Sequence, residues 1–289
     1  MNGILLIDKP QGKTSHDIVS VVRRTLQMKR VGHAGTLDPM ATGVLVVLVG
    51  KATKVSDFLL NKDKRYRAGI LLGCETDSYD MDGTVINKCE PRISEEQLKQ
   101  VLQQLIGQQI QIPPMFSAIK QNGKKLYEMA RKGIEVERHG REITIHSLDL
   151  LSFDGVHAEV EVHCSKGTYI RSLAHDIGAV LGCGACLDSL IRCASGQFSL
   201  ADAITVEQLE RGEYTLIPTH SVFPYPSVTV NEEQEKRIRN GAPVLFETET
   251  YHETIKIFSE KGMFLCTAIA EKRPYGCYIK PETMFLEED

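Results

Sequence analysis

The sequence predicts a mixed α/β, or α+β, body followed by a smaller β-rich unit. Strand-like and helix-like runs alternate irregularly, without the fixed period of a repeat protein. The 289 residues, 42% of them hydrophobic and 25% charged, are enough for one full core and a second, smaller one. Pro218, Pro224 and Pro226 bracket a linker, beyond which strand-like pieces dominate.

The elements follow in order. Residues 3–7 read as a buried strand, and Thr14 with Asp17 forms a capping-box pair opening a helix with Ile18, Val21, Val22 and Leu26 on its apolar side. A glycine-bounded loop spans residues 32–43, and residues 44–49 and 65–72 read as strands. Ser94 with Gln97 caps a helix reaching about Ile106, and residues 124–132 read as a basic helix stopped by Gly133. Between them Pro113 and Pro114 impose a rigid turn. Alternation over residues 158–162 marks a half-exposed strand, which delivers the chain to Ser165–Arg171 and a helix reaching about Leu181. Past the linker come a helix at 232–240, ended by Gly241, and strands near 255–258 and 263–270.

Composition narrows the function classes. The longest apolar run, residues 44–49, is far short of the roughly 20 residues of a membrane helix. The first ten residues resemble neither a signal nor a transit peptide, so a cytoplasmic protein is expected. Eight scattered cysteines then read as reduced thiols; Cys183 and Cys186 lack the second ligand pair of a structural zinc site. Net charge is −4, yet the first 70 residues hold twelve bases against five acids, which suits a basic face presented to a polyanion.

The most informative segment is Gly32-His33-Ala34-Gly35-Thr36-Leu37-Asp38-Pro39-Met40-Ala41-Thr42-Gly43, where glycines and a proline fix an irregular loop holding one acid and one imidazole. On composition alone, Asp38 reads more readily as a turn-capping residue than as a catalyst. Two other chemistries are weighed. Asp80-Met81-Asp82-Gly83-Thr84-Val85 matches a phosphotransferase nucleophile motif but lacks the apolar strand needed before it. Gln11-Gly12-Lys13-Thr14 matches the end of a P-loop, with Ile7 where that loop requires glycine.

This loop resembles the signature of the TruB family, the transfer RNA pseudouridine-55 synthases. Five more segments agree in order: Asp8-Lys9-Pro10 with Gly12 and Ser15; Lys64-Arg65-Tyr66-Arg67-Ala68; residues 76–83; Pro113-Pro114-Met115-Phe116-Ser117-Ala118 with the basic residues after it; and Cys164–Arg171. The resemblance implies a pseudouridine synthase fold at residues 1–225, with an antiparallel-rich sheet, a cleft and an RNA-gripping insertion at about 108–140. It implies a short PUA-like RNA-binding domain at 226–289.

It further implies that Asp38 is the catalytic carboxylate, attacking the sugar or assisting proton removal at C2′. Arg171 holds that carboxylate by a charge-assisted bond. Tyr66 stacks on the turned base and is a candidate proton acceptor, Tyr169 closes the pocket, and Leu190 and Asp80 line it. The target uridine must flip out, His33 entering the RNA in its place. Lys9, Lys64, Lys120, Lys124, Lys125 and Arg131 are expected to touch RNA. The implied partner is the T arm of transfer RNA, with no membrane and no cofactor or metal, the protein acting as a monomer. A non-catalytic RNA chaperone would use the same basic face without needing Asp38.

Overall fold

Strand β1 (Gly3–Lys9), helix α1 (Ser15–Thr25), β2 (Val31–His33) and β3 (Thr42–Val49) open the chain, followed by α2 (Ser56–Leu60), β4 (Lys64–Leu72), β5 (Cys74–Thr76) and β6 (Val85–Lys88). Next come α3 (Glu95–Gln104), β7 (Gly107–Gln111), β8 (Lys120–Gln121), β9 (Lys124–Lys125) and α4 (Leu126–Ala130). The body continues with β10 (Arg141–Phe153), β11 (His157–Cys164), α5 (Ile170–Leu181), β12 (Ala185–Ser195), β13 (Phe198–Ser199) and α6 (Val206–Glu210). The last part holds β14 (Ser227–Val230), α7 (Glu232–Arg239), β15 (Val244–Phe246), β16 (Thr254–Ser259), β17 (Phe264–Arg273) and β18 (Gly276–Met284). This computed structural model describes residues 1–117, 119–121, 123–130, 133–134, 136–246, 253–273 and 276–286, with only the backbone described at Lys120, Lys124, Lys125, Tyr127 and Arg273.

The mixed α/β architecture is the one the sequence predicts. The main sheet runs β1-β3-β12-β4-β11-β10-β7, with β2 and β13 at its margins. Its pairings are antiparallel except for β3 with β12. β3 is buried on both faces, which is why it reads as an unbroken apolar run rather than an alternation. On one face, Ile18 and Val22 of α1, Leu98 and Leu102 of α3 and Leu173 and Ile177 of α5 share a core with Leu5, Val47, Ile70 and Val160 of the sheet. Both capping boxes form: the Thr14 hydroxyl accepts from the Asp17 amide at 3.0 Å, and Ser94 does the same for Gln97 at 3.2 Å.

Three expectations are corrected. The predicted basic helix begins only at Leu126, because Lys124 and Lys125 are spent on a two-residue hairpin strand, and residues 131–132 lie outside the described residues. The loop expected at 32–43 is shorter, since Val31–His33 pairs with β3. β12, eleven residues at the sheet centre, is not legible as a strand because bulges at Asp188 and Cys193 shift its register and break its alternation.

Residues beyond 226 form their own sheet, ordered β14-β16-β17-β18-β15, around Val230, Ile257, Ala268 and Ile279. Phe285 from this unit nevertheless packs with Phe223 and with Ile4 and Val46 of the body. Among the described residues, no helix is long and apolar enough to cross a membrane.

Candidate active site

Residues 34–41 hold no regular structure, so contacts from outside must fix them. Ser15, buried at the start of α1, clasps Leu37 twice: its hydroxyl donates to the Leu37 carbonyl at 3.0 Å and accepts from the Leu37 amide at 2.8 Å. The Gly12 amide donates to the Pro39 carbonyl at 2.8 Å. From beneath, the guanidinium of Arg192, 1% exposed, donates to the carbonyls of Val44 at 2.8 Å, Gly35 at 3.1 Å and Thr36 at 3.4 Å. Gly43 closes the loop at φ +99°, where a Cβ would fall 2.4 Å from the Arg192 carbonyl oxygen, so only glycine fits.

These ties aim Asp38 at the mouth of α5. Arg171, in the first turn of that helix and buried, donates from Nη2 to Asp38 Oδ2 at 2.9 Å and lies 3.4 Å from Asp80 Oδ2 through Nη1. Nη1 also donates to the Ser78 carbonyl at 3.2 Å and Nη2 to the Phe116 carbonyl at 2.7 Å. The guanidinium therefore cannot turn away from Asp38 without leaving buried groups unpaired. Asp38 keeps 37% of its side chain exposed, whereas Asp80 is 7% exposed. Burial pushes the Asp80 carboxyl up, against the opposing pull of Ser78 and Arg171.

Asp38 and Arg171 sit in a cavity of about 290 Å³, lined also by Tyr66, Tyr169 and Leu190. That is near the lower end of the roughly 300–1,000 Å³ of small-molecule sites. Tyr66 lies opposite Arg192 in the β4–β12 ladder, and burial pushes its phenol up, opposed by Arg192. Tyr169 is held by its backbone: its amide donates to Gln111 Oε1 at 2.8 Å, and Gln111 Nε2 returns a bond to its carbonyl at 3.1 Å. Burial raises its phenol as well. Asp38, Tyr66, Asp80, the Tyr169 and Arg171 pair, and Leu190 thus converge from five separate stretches of chain.

The predicted RNA contacts fare differently. Lys9 is fully buried, its ammonium donating to the carbonyls of Pro10, Lys13 and Pro39 at 2.9, 2.6 and 3.3 Å. Lys64, 7% exposed, donates to the carbonyls of Leu60 and Lys62 at 2.7 and 2.5 Å. Burial brings both pKa values down to about 8. Both lysines, expected to touch RNA, thus make ties to backbone carbonyls within the protein, and Lys9 holds the Asp38 loop. His33 is half-buried, its ring held toward the neutral form first by burial and then by Arg192; Nδ1 finds no hydrogen-bond partner among the described residues. The side chains of Lys120, Lys124 and Lys125 and the whole of Arg131 lie outside the described residues. Sequence reasoning passed over Gln111, took Ser15 only as part of a matching segment, and placed Arg192 only in a stretch resembling one that lines the family's active site, without its role under the loop. Two polar residues and an arginine flanked by apolar neighbours carry no signal until their loops are brought together.

A largely antiparallel sheet with a cleft, in which one half-exposed aspartate is gripped by a buried arginine beside two tyrosines, belongs to a chain that pseudouridylate synthase family models match. The model described as "TruB family pseudouridylate synthase (N terminal domain)" matches residues 23–170, and that described as "tRNA pseudouridylate synthase B C-terminal domain" matches 171–217. The chain belongs to the TruB family. It is 47% identical over 261 residues to "tRNA pseudouridine synthase B" of Alkaliphilus oremlandii, covering 88% of this chain and 87% of that one. A protein of the same name from Clostridium perfringens is 40% identical with both chains fully covered. Two solved structures share the fold. "Structure of H/ACA RNP bound to a substrate RNA containing 2'-deoxyuridine" gives a TM-score of 0.71 at 24% identity, covering 99% of this chain and 86% of that one. "Crystal Structure of a Cbf5-Nop10-Gar1 Complex" gives 0.71 at 26%, covering 98% and 85%.

Proposed function

We propose that this protein isomerises uridine 55 in the T loop of transfer RNA to pseudouridine, with Asp38 as its catalytic carboxylate. The observation that carries the reading is the Asp38–Arg171 pair, 2.9 Å apart in a cavity with room for one flipped nucleotide. The reaction breaks the bond from N1 to C1′, turns the base and joins C5 to C1′; C5 loses its hydrogen and N1 gains a proton, so no redox partner or outside atom is needed. Asp38 serves the sugar, by attack at C1′ or by proton removal at C2′, and both need an ionised carboxylate of fixed direction. Arg171 supplies the direction. Tyr66, its phenol pushed up by burial, stacks on the base, while Tyr169 and Leu190 wall the cavity.

His33 enters the RNA where the base has left, an event for which its half-exposed position on β2 beside the loop is suited. The basic residues between 120 and 131 grip the T arm through phosphates, and residues 226–289 act as a PUA-like RNA-binding domain. The protein works as a monomer in the cytoplasm, consistent with its eight free cysteines.

The test is tritium release from transfer RNA transcript labelled at uridine C5, comparing wild type with Asp38→Ala in EDTA. Release by wild type alone, mapped to the T-loop uridine, is expected. No release by wild type, with RNA binding retained, would sink the enzymatic reading in favour of an RNA-folding role.

A further inference from the structure

We propose that Asp63, His146 and His163 form a binding site for a divalent transition-metal ion, with zinc the best fit, at the rim of the cleft. One ligand atom from each residue lies within 4.8 Å of the others. His146 Nε2 is 3.3 Å and His163 Nε2 4.0 Å from Asp63 Oδ2, and the two imidazole centroids are 4.7 Å apart. In a tetrahedral zinc site with metal–ligand bonds near 2.1 Å, neighbouring ligand atoms stand about 3.4 Å apart. One edge already meets that spacing; the other two, the longer within 4.8 Å, close by side-chain adjustment.

The backbone is arranged for the meeting. A β-bulge separates Ile145 from Ser147 in the pairing of β10 with β11, leaving His146 as the extra residue, and its ring turns onto that of His163. A bulge re-aims a side chain at the cost of a ladder position. Asp63 arrives from the residue before β4, its carbonyl fixed by the Gly196 amide at 2.8 Å. Two imidazoles and one carboxylate suit a borderline ion better than magnesium or calcium, which prefer all-oxygen shells. Asp63 and His146 are exposed, so water fills the remaining positions. The three residues stand outside the catalytic set, although Asp63 adjoins Lys64 and His163 lies two residues before Ser165, both of which line the cleft.

Equilibrium dialysis of the whole chain against micromolar zinc chloride, with metal counted per chain, tests the site. Wild type is expected to bind one ion that EDTA removes, and His146→Ala or His163→Ala to weaken binding by more than about tenfold. Cobalt substitution separates this site from the cysteines, because thiolate ligands add a near-ultraviolet charge-transfer band that a His-His-Asp site lacks. Stoichiometric binding without that band, lost in an Asp63→Asn, His146→Ala, His163→Ala variant with an unchanged melting temperature, supports the proposal. Binding unaltered in that variant, or no stoichiometric binding by wild type, overturns it.

Discussion

Arg171 carries two carboxylates of unequal exposure, and the inequality separates their roles. Asp38 is open enough to meet a substrate; Asp80 is buried and serves to hold the guanidinium in place. Asp38→Asn is expected to lower turnover by at least about a thousandfold with little change in melting temperature, since an amide can neither attack nor take a proton. Arg171→Ala strands Asp80 in the interior and is expected to destabilise by about 3–5 kcal/mol. Adding Asp80→Asn should restore much of that stability but none of the activity, as denaturant midpoints and tritium release would show; equal stability of the single and double variants would refute the pairing. Lys9 gives a pH signature. Its native pKa of about 8 lies below the ordinary 10.5, so between those values the unfolded chain holds a proton the native state has released, and stability rises with pH. Below pH 8 both states are protonated and the contribution is flat. Lys9→Met should remove this part of the rise, measured as denaturant midpoints from pH 7 to 10.

At the scale of elements, the catalytic loop is positioned by its neighbours rather than by its own hydrogen bonds. Ser15→Ala removes the clasp on Leu37 and leaves its buried amide and carbonyl unpaired, a loss of about 1–3 kcal/mol. Because Leu37 adjoins Asp38, turnover should fall more than that stability loss explains, with KM for RNA nearly unchanged. Gly43→Ala meets both the positive φ and the Arg192 backbone and should destabilise by on the order of 1–3 kcal/mol while displacing β3 from β12. A variant with wild-type melting and activity would show that the loop does not depend on this close approach. Helices α1 and α3 were legible in the sequence because a cap and its capping-box partner lie three residues apart. β12 was not, because its bulges matter only in relation to β4.

Across the whole molecule, the two sheets have separate cores but share an aromatic cluster. Phe223, Phe264 and Phe285 interlock at centroid distances of 4.9–6.2 Å, and Lys256 Nζ donates to the Phe223 carbonyl at 3.2 Å. A chain ending at Tyr225 would uncover Phe223, and it should melt at a lower temperature and self-associate, as calorimetry and sedimentation would reveal. What the sequence alone determined were the features written in local order: the mixed α/β class, the capped helices, the apolar run of β3, and the glycine-bounded loop whose resemblance singles out Asp38. The tertiary structure decided which cations make ties inside the protein. Lys9 and Lys64 read as phosphate contacts in a basic stretch, yet their ammonium groups satisfy buried carbonyls. Arg192 supports the loop from more than 150 residues away. Charge and residue type are local properties, whereas desolvation and hydrogen-bond partnership depend on which distant segments the fold brings together.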